Sequence, residues 1–368
     1  MGKTPLEQLS DLGQSVWIDY LSRDLLESGE LERMVREDAV VGVTSNPTIF
    51  QKAMSQGNAY DDQMREVLER ETEGKDVFIS LATTDVRRAC DLLRPVFDES
   101  GGRDGRVSIE VDPNLAFDAD ATLEEAVRLS EAVDRPNAFV KIPATEAGLE
   151  AIEEAIARGI PINVTLIFSL ERHRQVAEAY LRGLERLVED GGDLATVSSV
   201  ASFFVSRVDT EADKRIDAAG GPPELKGRLA VANAKLAYET YKEVFAGERW
   251  QALADRGATP QRCLWASTST KNPDYSDVLY VEELIGPDTV NTMPEETIRA
   301  FQDHGKAEPT LERDLDPARQ LFEQLREIGI DYDDVTDTLE REGVEKFAQS
   351  FRELLEGVKQ KRDALVAA

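Results

Sequence analysis

Two cysteines and two histidines in 368 residues leave little room for thiol or metal chemistry. Cys90 and Cys263 are far apart and belong to no metal-type spacing, and a chain of this length needs no disulfide staple, so both read as reduced core residues. His173 lies between Arg172 and Arg174 in a helix-like run, and His304 precedes Gly305 in a loop-like segment. That pattern argues against a histidine zinc site or a Ser-His-Asp triad. Long apolar runs are missing too: none approaches the roughly 18 residues of a membrane helix. The start, Met1-Gly2-Lys3-Thr4-Pro5-Leu6-Glu7, lacks the charged-then-apolar pattern of a signal peptide, and Leu6 stands where a myristoylation motif needs Ser or Thr. The expectation is a cytoplasmic protein with no membrane partner. Positive charge is short, with 43 Lys and Arg against 72 Asp and Glu and a net charge of −29. Nucleic acid and anionic membranes need a positive face, so both are excluded as partners. Solubility and adaptation to high salt both account for the acidity. An anionic substrate would require a local cluster of cations against this global field.

What the chain does have is 41% hydrophobic content, enough for a sizeable core, arranged as short apolar, β-branched runs. Eight such runs, at 15–19, 40–44, 107–111, 139–142, 162–167, 199–205, 263–267 and 289–292, are each followed by a turn and a helical pattern. Helical stretches such as 122–133, 147–158 and 169–188 lie between them. Alternation of strand and helix implies a parallel sheet covered on both faces, and eight units imply an α/β fold of the (β/α)8 TIM-barrel type. A doubly wound sheet would carry a glycine-rich loop after the first strand, where Asp19-Tyr20-Leu21-Ser22-Arg23 stands instead. Extra helical material falls at 51–100, 224–245 and 336–365. The expected organisation is one domain over 1–368, with a barrel core at about 15–330 and a long C-terminal helix packed on it.

Within Ala138-Phe139-Val140-Lys141-Ile142-Pro143 a lysine interrupts an apolar strand. Full desolvation can lower a lysine pKa by roughly 3–5 units, which yields a neutral amine able to attack a carbonyl. Active sites of such barrels lie at the C-terminal strand ends, and nearly every strand here carries a polar residue late in its run. Asp19, Thr44-Ser45-Asn46, Glu110, Asn163 and Thr165, Ser202 with Arg207, and Ser267 would form a ring around Lys141. The ring holds a nucleophile, two carboxylates for proton transfer and neutral hydrogen-bond partners. A purely structural Lys141–Glu110 salt bridge is the competing reading. Arg207, with Ser202 and Ser267, offers an anion site, whereas a surface ion pair with Asp209 is the alternative.

Five strings in order, Thr44-Ser45-Asn46-Pro47, Ser108-Ile109-Glu110-Val111-Asp112, Val140-Lys141-Ile142-Pro143-Ala144-Thr145, Asn163-Val164-Thr165-Leu166-Ile167-Phe168-Ser169 and Ser202-Phe203-Phe204-Val205-Ser206-Arg207-Val208-Asp209, resemble the transaldolases. The likeness runs from about Trp17 to Met293 and is closest to the longer-chain subgroup. It implies a class I aldolase-type barrel with Lys141 as the Schiff-base lysine on the fourth strand. Asp19 then matches the acid/base at the C4 hydroxyl, and Glu110 with Thr165 matches the pair that holds a catalytic water. Asn46 and Asn163 match residues that hold the dihydroxyacetone unit. Ser202, Arg207 and Ser267 match the phosphate site. The implied reaction, in the pentose phosphate pathway, moves dihydroxyacetone from sedoheptulose 7-phosphate to glyceraldehyde 3-phosphate, without metal or organic cofactor. Phe204 separates this pattern from the shorter fructose 6-phosphate aldolases, which carry Tyr there. In strand seven the best-known members place an Arg soon after the Ser, whereas here Lys271 follows Ser267 and, as in the longer-chain subgroup, is expected to replace that cation in substrate binding, without the bidentate fork. Free release of dihydroxyacetone and a non-catalytic acidic barrel remain the rival readings, and monomer and homodimer are equally compatible with the sequence.

Overall fold

The apolar runs become strands because β-branched and aromatic residues fill a pleated surface, and nearly every strand position is buried because helices cover the outside and side chains fill the inside. In the computed structural model, which describes residues 2–55, 57–70 and 73–367, they are β1 (Gln14–Ile18), β2 (Val40–Val43), β3 (Arg106–Glu110), β4 (Ala138–Pro143), β5 (Ile162–Ile167), β6 (Ser199–Phe204), β7 (Arg262–Ala266) and β8 (Thr289–Met293). Residues 1 and 368, the ends of the expected domain, lie outside the described residues. All neighbours pair in parallel, in the order β1 to β8, and β8 closes the barrel on β1 through Gln14↔Thr289 to Ile18↔Met293. The expected (β/α)8 barrel is therefore the fold. Gly42 lies inside β2 because a Cβ there would stand 2.5 Å from the Trp17 ring, a core side chain with no exposed surface.

β1, β2, β3, β6 and β7 end one residue before the expected bound, β4 and β8 run one residue past it, and β5 ends where expected. Asp19, Thr44 and Ser267 stand just past their hydrogen-bonded strands, in the turns above the barrel. The helices that follow are set by caps read easily from sequence. Thr145 accepts from Gly148 N ahead of Glu146–Ala157, and Ser169 accepts from Arg172 N ahead of Leu170–Glu189. The stretch at 224–245 is a short 3-10 turn, Pro223–Leu225, and then Leu229–Val244. His304, expected in a loop, is instead the last residue of the helix Glu295–His304, and Gly305 caps it in extended backbone.

The C-terminal helix, Tyr332–Ala367, is longer than the expected 336–365 and lies across the C-terminal end of the barrel. Tyr332 ties down its start: its hydroxyl donates to Asn233 Oδ1 at 2.7 Å and accepts from Leu170 N at 3.0 Å. Further along, Phe351 meets Phe78 edge-on at 5.5 Å between centroids. Gly343 allows the helix to approach the barrel, since a Cβ there would stand 3.1 Å from Leu166 Cδ2.

Candidate active site

Strand register brings the central residues together. Glu110 pairs with Lys141 across β3 and β4, and Lys141 pairs with Asn163 across β4 and β5, so three chemically active side chains share one level of the barrel. Alternation in β5 then puts Thr165 on the same inward face as Asn163. Lys141 is 4% exposed, and Asn163 and Thr165 have no exposed surface. Lys141 Nζ lies 3.2 Å from Glu110 Oε2, and it donates to the Ser45 carbonyl at 3.2 Å. The ammonium is thus within ion-pairing range of Glu110, but its aligned hydrogen bond goes to the backbone. Glu110 Oε2 and Thr165 Oγ1 are both buried without a protein hydrogen-bond partner.

Two polar relays flank the lysine. Thr44 Oγ1 donates to Asp19 Oδ1 at 2.7 Å and stands 2.6 Å from Thr292 Oγ1. On the other side, Ser202 Oγ donates to Asn163 Oδ1 at 2.7 Å, and Asn163 Nδ2 donates to Ser108 Oγ at 3.0 Å. Ser202, expected among the phosphate ligands, lines the cavity and donates to Asn163 Oδ1, which orients that amide. Asn46 Oδ1 accepts from Ile49 N at 3.1 Å, capping the helix Pro47–Ser55 and leaving its NH2 end for the cavity.

Burial pushes the Asp19 carboxyl above the ordinary range, against the opposing pull of Lys141, the Thr44 hydroxyl, Arg207 and Lys271. Glu110 is also raised by burial, with Lys141 opposing and Asp19 reinforcing the shift. Two carboxyls held above their usual range beside an amine are suited to take up and return protons.

These residues open into a cavity of about 870 Å3 at the C-terminal strand ends, lined by Asp19, Asn46, Lys141, Ser202, Phe204 and Arg207 together with Ser267 and Lys271. Glu110, Asn163 and Thr165 lie behind Lys141. Two of the residues involved sit beside or in left-handed backbone that favours glycine: Ser267 at φ 57°, and Leu166 at φ 59°, next to Thr165 where the β5–β6 register shifts. Such strain re-aims side chains that a regular strand would place elsewhere. Ser267 Oγ stands 2.9 Å from Ser206 Oγ at the first turn of the helix Ser206–Ala219.

Arg207 is not in a surface ion pair with Asp209. Asp209 is buried, accepting from Ala230 N at 2.7 Å and from the Tyr280 hydroxyl at 2.9 Å, and burial raises it to about 7. The Arg207 guanidinium stacks over Phe204 at 4.9 Å and over Phe347 of the C-terminal helix at 5.6 Å. Lys271 Nζ donates to Ser269 Oγ at 2.5 Å at the rim. Three contributors escaped the sequence reading: Lys52, Lys346 and Phe347. The Lys346 ammonium is pulled below its usual range, first by Arg207 and also by burial, Lys271 and Lys52, which places these cations around one point. Their only sequence signal is amphipathic spacing, which reads equally well as a solvent face. Among the described residues, no group of three His, Cys, Asp or Glu side chains could hold a metal ion.

A closed parallel barrel with a buried lysine between carboxyls at the strand ends defines a lysine-centred (β/α)8 enzyme. A profile of the Transaldolase/Fructose-6-phosphate aldolase family matches residues 16–358. A transaldolase of Acidothermus cellulolyticus is 55% identical over 356 residues, 96% of each chain. A transaldolase of Mycobacterium ulcerans is 54% identical over 367 residues, covering 99% of this chain and 98% of the other. A protein named transaldolase 2 in Streptomyces coelicolor is 53% identical over 353 residues, 95% of each chain. The chain belongs to the transaldolase/fructose-6-phosphate aldolase family.

Proposed function

We propose that this protein transfers a dihydroxyacetone unit from sedoheptulose 7-phosphate to glyceraldehyde 3-phosphate, giving erythrose 4-phosphate and fructose 6-phosphate, with Lys141 as the nucleophile. The observation that carries the reading is Lys141 Nζ, buried on β4, 3.2 Å from Glu110 Oε2 and open to the same cavity as Asp19. The lysine amine adds to the ketose carbonyl at C2, and loss of water leaves an iminium. Asp19 takes the C4 hydroxyl proton as the C3–C4 bond breaks, and the electron pair passes to the iminium to give an enamine while erythrose 4-phosphate departs. The enamine then attacks the acceptor aldehyde, Asp19 returns its proton, and water releases the new ketose. Glu110 Oε2, ion-paired with Lys141 but with no hydrogen-bond partner among the described residues, and Thr165 Oγ1, which has none either, are suited to hold the water that relays protons at the iminium. Asn46 and Asn163 bind the three-carbon fragment, the latter oriented by Ser202.

The phosphate end is assigned to Arg207, Ser267 and Lys271, joined by Lys346. In a chain of net charge −29 these cations face one cavity whose rim also carries Glu211, Glu296, Glu342 and Glu345. The phosphate assignment therefore rests on the grouping of Lys271, Lys346 and Lys52 around Arg207 rather than on a positive cavity as a whole. The C-terminal helix contributes to that cavity, which favours treating the whole chain as one domain. It also lays Phe347 over the site, with Lys141 Nζ 5.8 Å from the ring. A covered site favours transfer over release, because the enamine is shielded from solvent. Phe204 in place of Tyr supports the same choice. The test is acceptor dependence: with sedoheptulose 7-phosphate alone, erythrose 4-phosphate should stop at one equivalent per chain and continue only when glyceraldehyde 3-phosphate is added. Steady release of free dihydroxyacetone without acceptor would identify an aldolase instead.

A further inference from the structure

The opposite end of the barrel carries a second cation cluster, distinct from the mouth. Strand N-termini all lie at that end in a parallel barrel, and β3 and β7 both begin with arginine, Arg106 and Arg262. Both are buried, at 4% and 6% exposure. With Arg103 and Arg135 they line a cavity of about 760 Å3, whose only lining carboxylate among the described residues, Asp98, is paired with Arg94 at 2.8 Å. Arg103 and Arg135 have partners in Asp288 and Asp91. Arg262 donates to Ser15 Oγ at 2.8 Å and meets Asp104 at 3.1 Å.

Arg106 is the exception. Among the described residues it has no carboxylate at ion-pairing distance. Its Nε donates to Gly102 O at 2.9 Å and its Nη1 to Pro136 O at 3.0 Å. The rings of Phe97 and Phe139 flank it, with centroids 4.6 and 4.8 Å from the guanidinium carbon. Burial and the neighbouring Arg262 pull it down to about 10. A buried guanidinium without a counter-charge is costly in proportion to its desolvation, and that cost falls if an anion joins it. Ser198 supplies a second, independent sign: its Oγ is buried without a hydrogen-bond partner and lines the same cavity.

We propose that the N-terminal end of the barrel is a second anion site, which takes a phosphate dianion, free or as a small ester, on Arg106, Arg262 and the Ser198 hydroxyl. The planar fork of Arg106, fixed between two rings with its Nη2 edge unspent, suits a tetrahedral oxyanion, and the cavity exceeds the needs of a monatomic ion. Phosphate titration calorimetry on the full-length chain carrying Arg207→Ala, Lys271→Ala, Lys346→Ala and Lys52→Ala isolates this site, because those changes remove the cations at the mouth outside Lys141. The expected result is one phosphate per chain. Ser198→Ala should weaken it about tenfold, the loss of one hydrogen bond to a charged group. Ser198→Asp, which sets a carboxylate among the donors, should abolish it, as should Arg106→Met. If Arg106→Met does not fold, the Ser198 variants decide the matter, since that side chain has no protein hydrogen bond to lose. Glycerol 3-phosphate in a parallel titration distinguishes an ester from the free ion. No binding heat, or heat that survives both Ser198→Asp and Arg106→Met, overturns the proposal.

Discussion

The two ends of this barrel bury cations in opposite ways. At the mouth, Lys141 lies between Glu110 and the Ser45 carbonyl, beside carboxyls that burial holds above their usual range. At the base, Arg106 has only carbonyls and ring faces, and Arg262 has a single carboxylate in Asp104. An amine paired with proton acceptors can change its protonation and act as a nucleophile. A guanidinium cannot, so at the base the same burial can serve only binding and structure. A buried cation in a barrel is therefore informative through its partners and the end it occupies, not through burial alone.

The largest effect is expected at the mouth, from Lys141→Ala. Steady-state kinetics should show activity reduced by at least about 10,000-fold, because no other group forms the iminium. Thermal unfolding should shift little, since Glu110 is already disposed to take up a proton when its partner is gone. At the base the pattern reverses. Asp104→Asn leaves Arg262 without its carboxylate and should cost about 3 kcal/mol in denaturant unfolding, with kcat and KM unchanged. A large loss of activity in that variant would show that the two ends are coupled.

The fold was legible because the strand signal is local: apolar, β-branched runs of fixed spacing, with β5 expected and found at the same residues. The central site was legible for a related reason, since Glu110, Lys141 and Asn163 interrupt apolar strands that pair in register. Lys346 and Phe347 were not, because an amphipathic helix leaves open which face meets solvent and which meets a distant barrel. Arg106 follows the turn Gly101-Gly102-Arg103-Asp104-Gly105 and reads as one more turn cation until the strands bring Arg262 beside it. Ser202 shows what a matched motif leaves out: the hydrogen bond from its hydroxyl to Asn163 Oδ1 is a contact between strands that no string in the sequence displays.

Two smaller effects sharpen the account of the mouth. Lys346→Ala should lower kcat/KM for sugar phosphates about tenfold, mainly through KM, and leave unphosphorylated acceptors unaffected, as expected for a half-screened charge contact. An equal loss on both substrate types would remove Lys346 from the phosphate site. Thr44→Val removes the hydroxyl that stabilises the ionised form of Asp19. Asp19 is already raised by burial, and loss of that donor raises it further. The acidic limb of the kcat/KM profile should therefore move to higher pH, by a fraction of a unit up to about one unit. A limb that moves to lower pH, or stays in place, would detach it from Asp19.

The central claim, that Lys141 holds the three-carbon fragment, is tested most directly by borohydride reduction of the protein with fructose 6-phosphate, followed by peptide mass spectrometry. A reduced dihydroxyacetone adduct on the peptide containing Lys141, absent without substrate, is the predicted result. No adduct, or an adduct on another lysine, would contradict it.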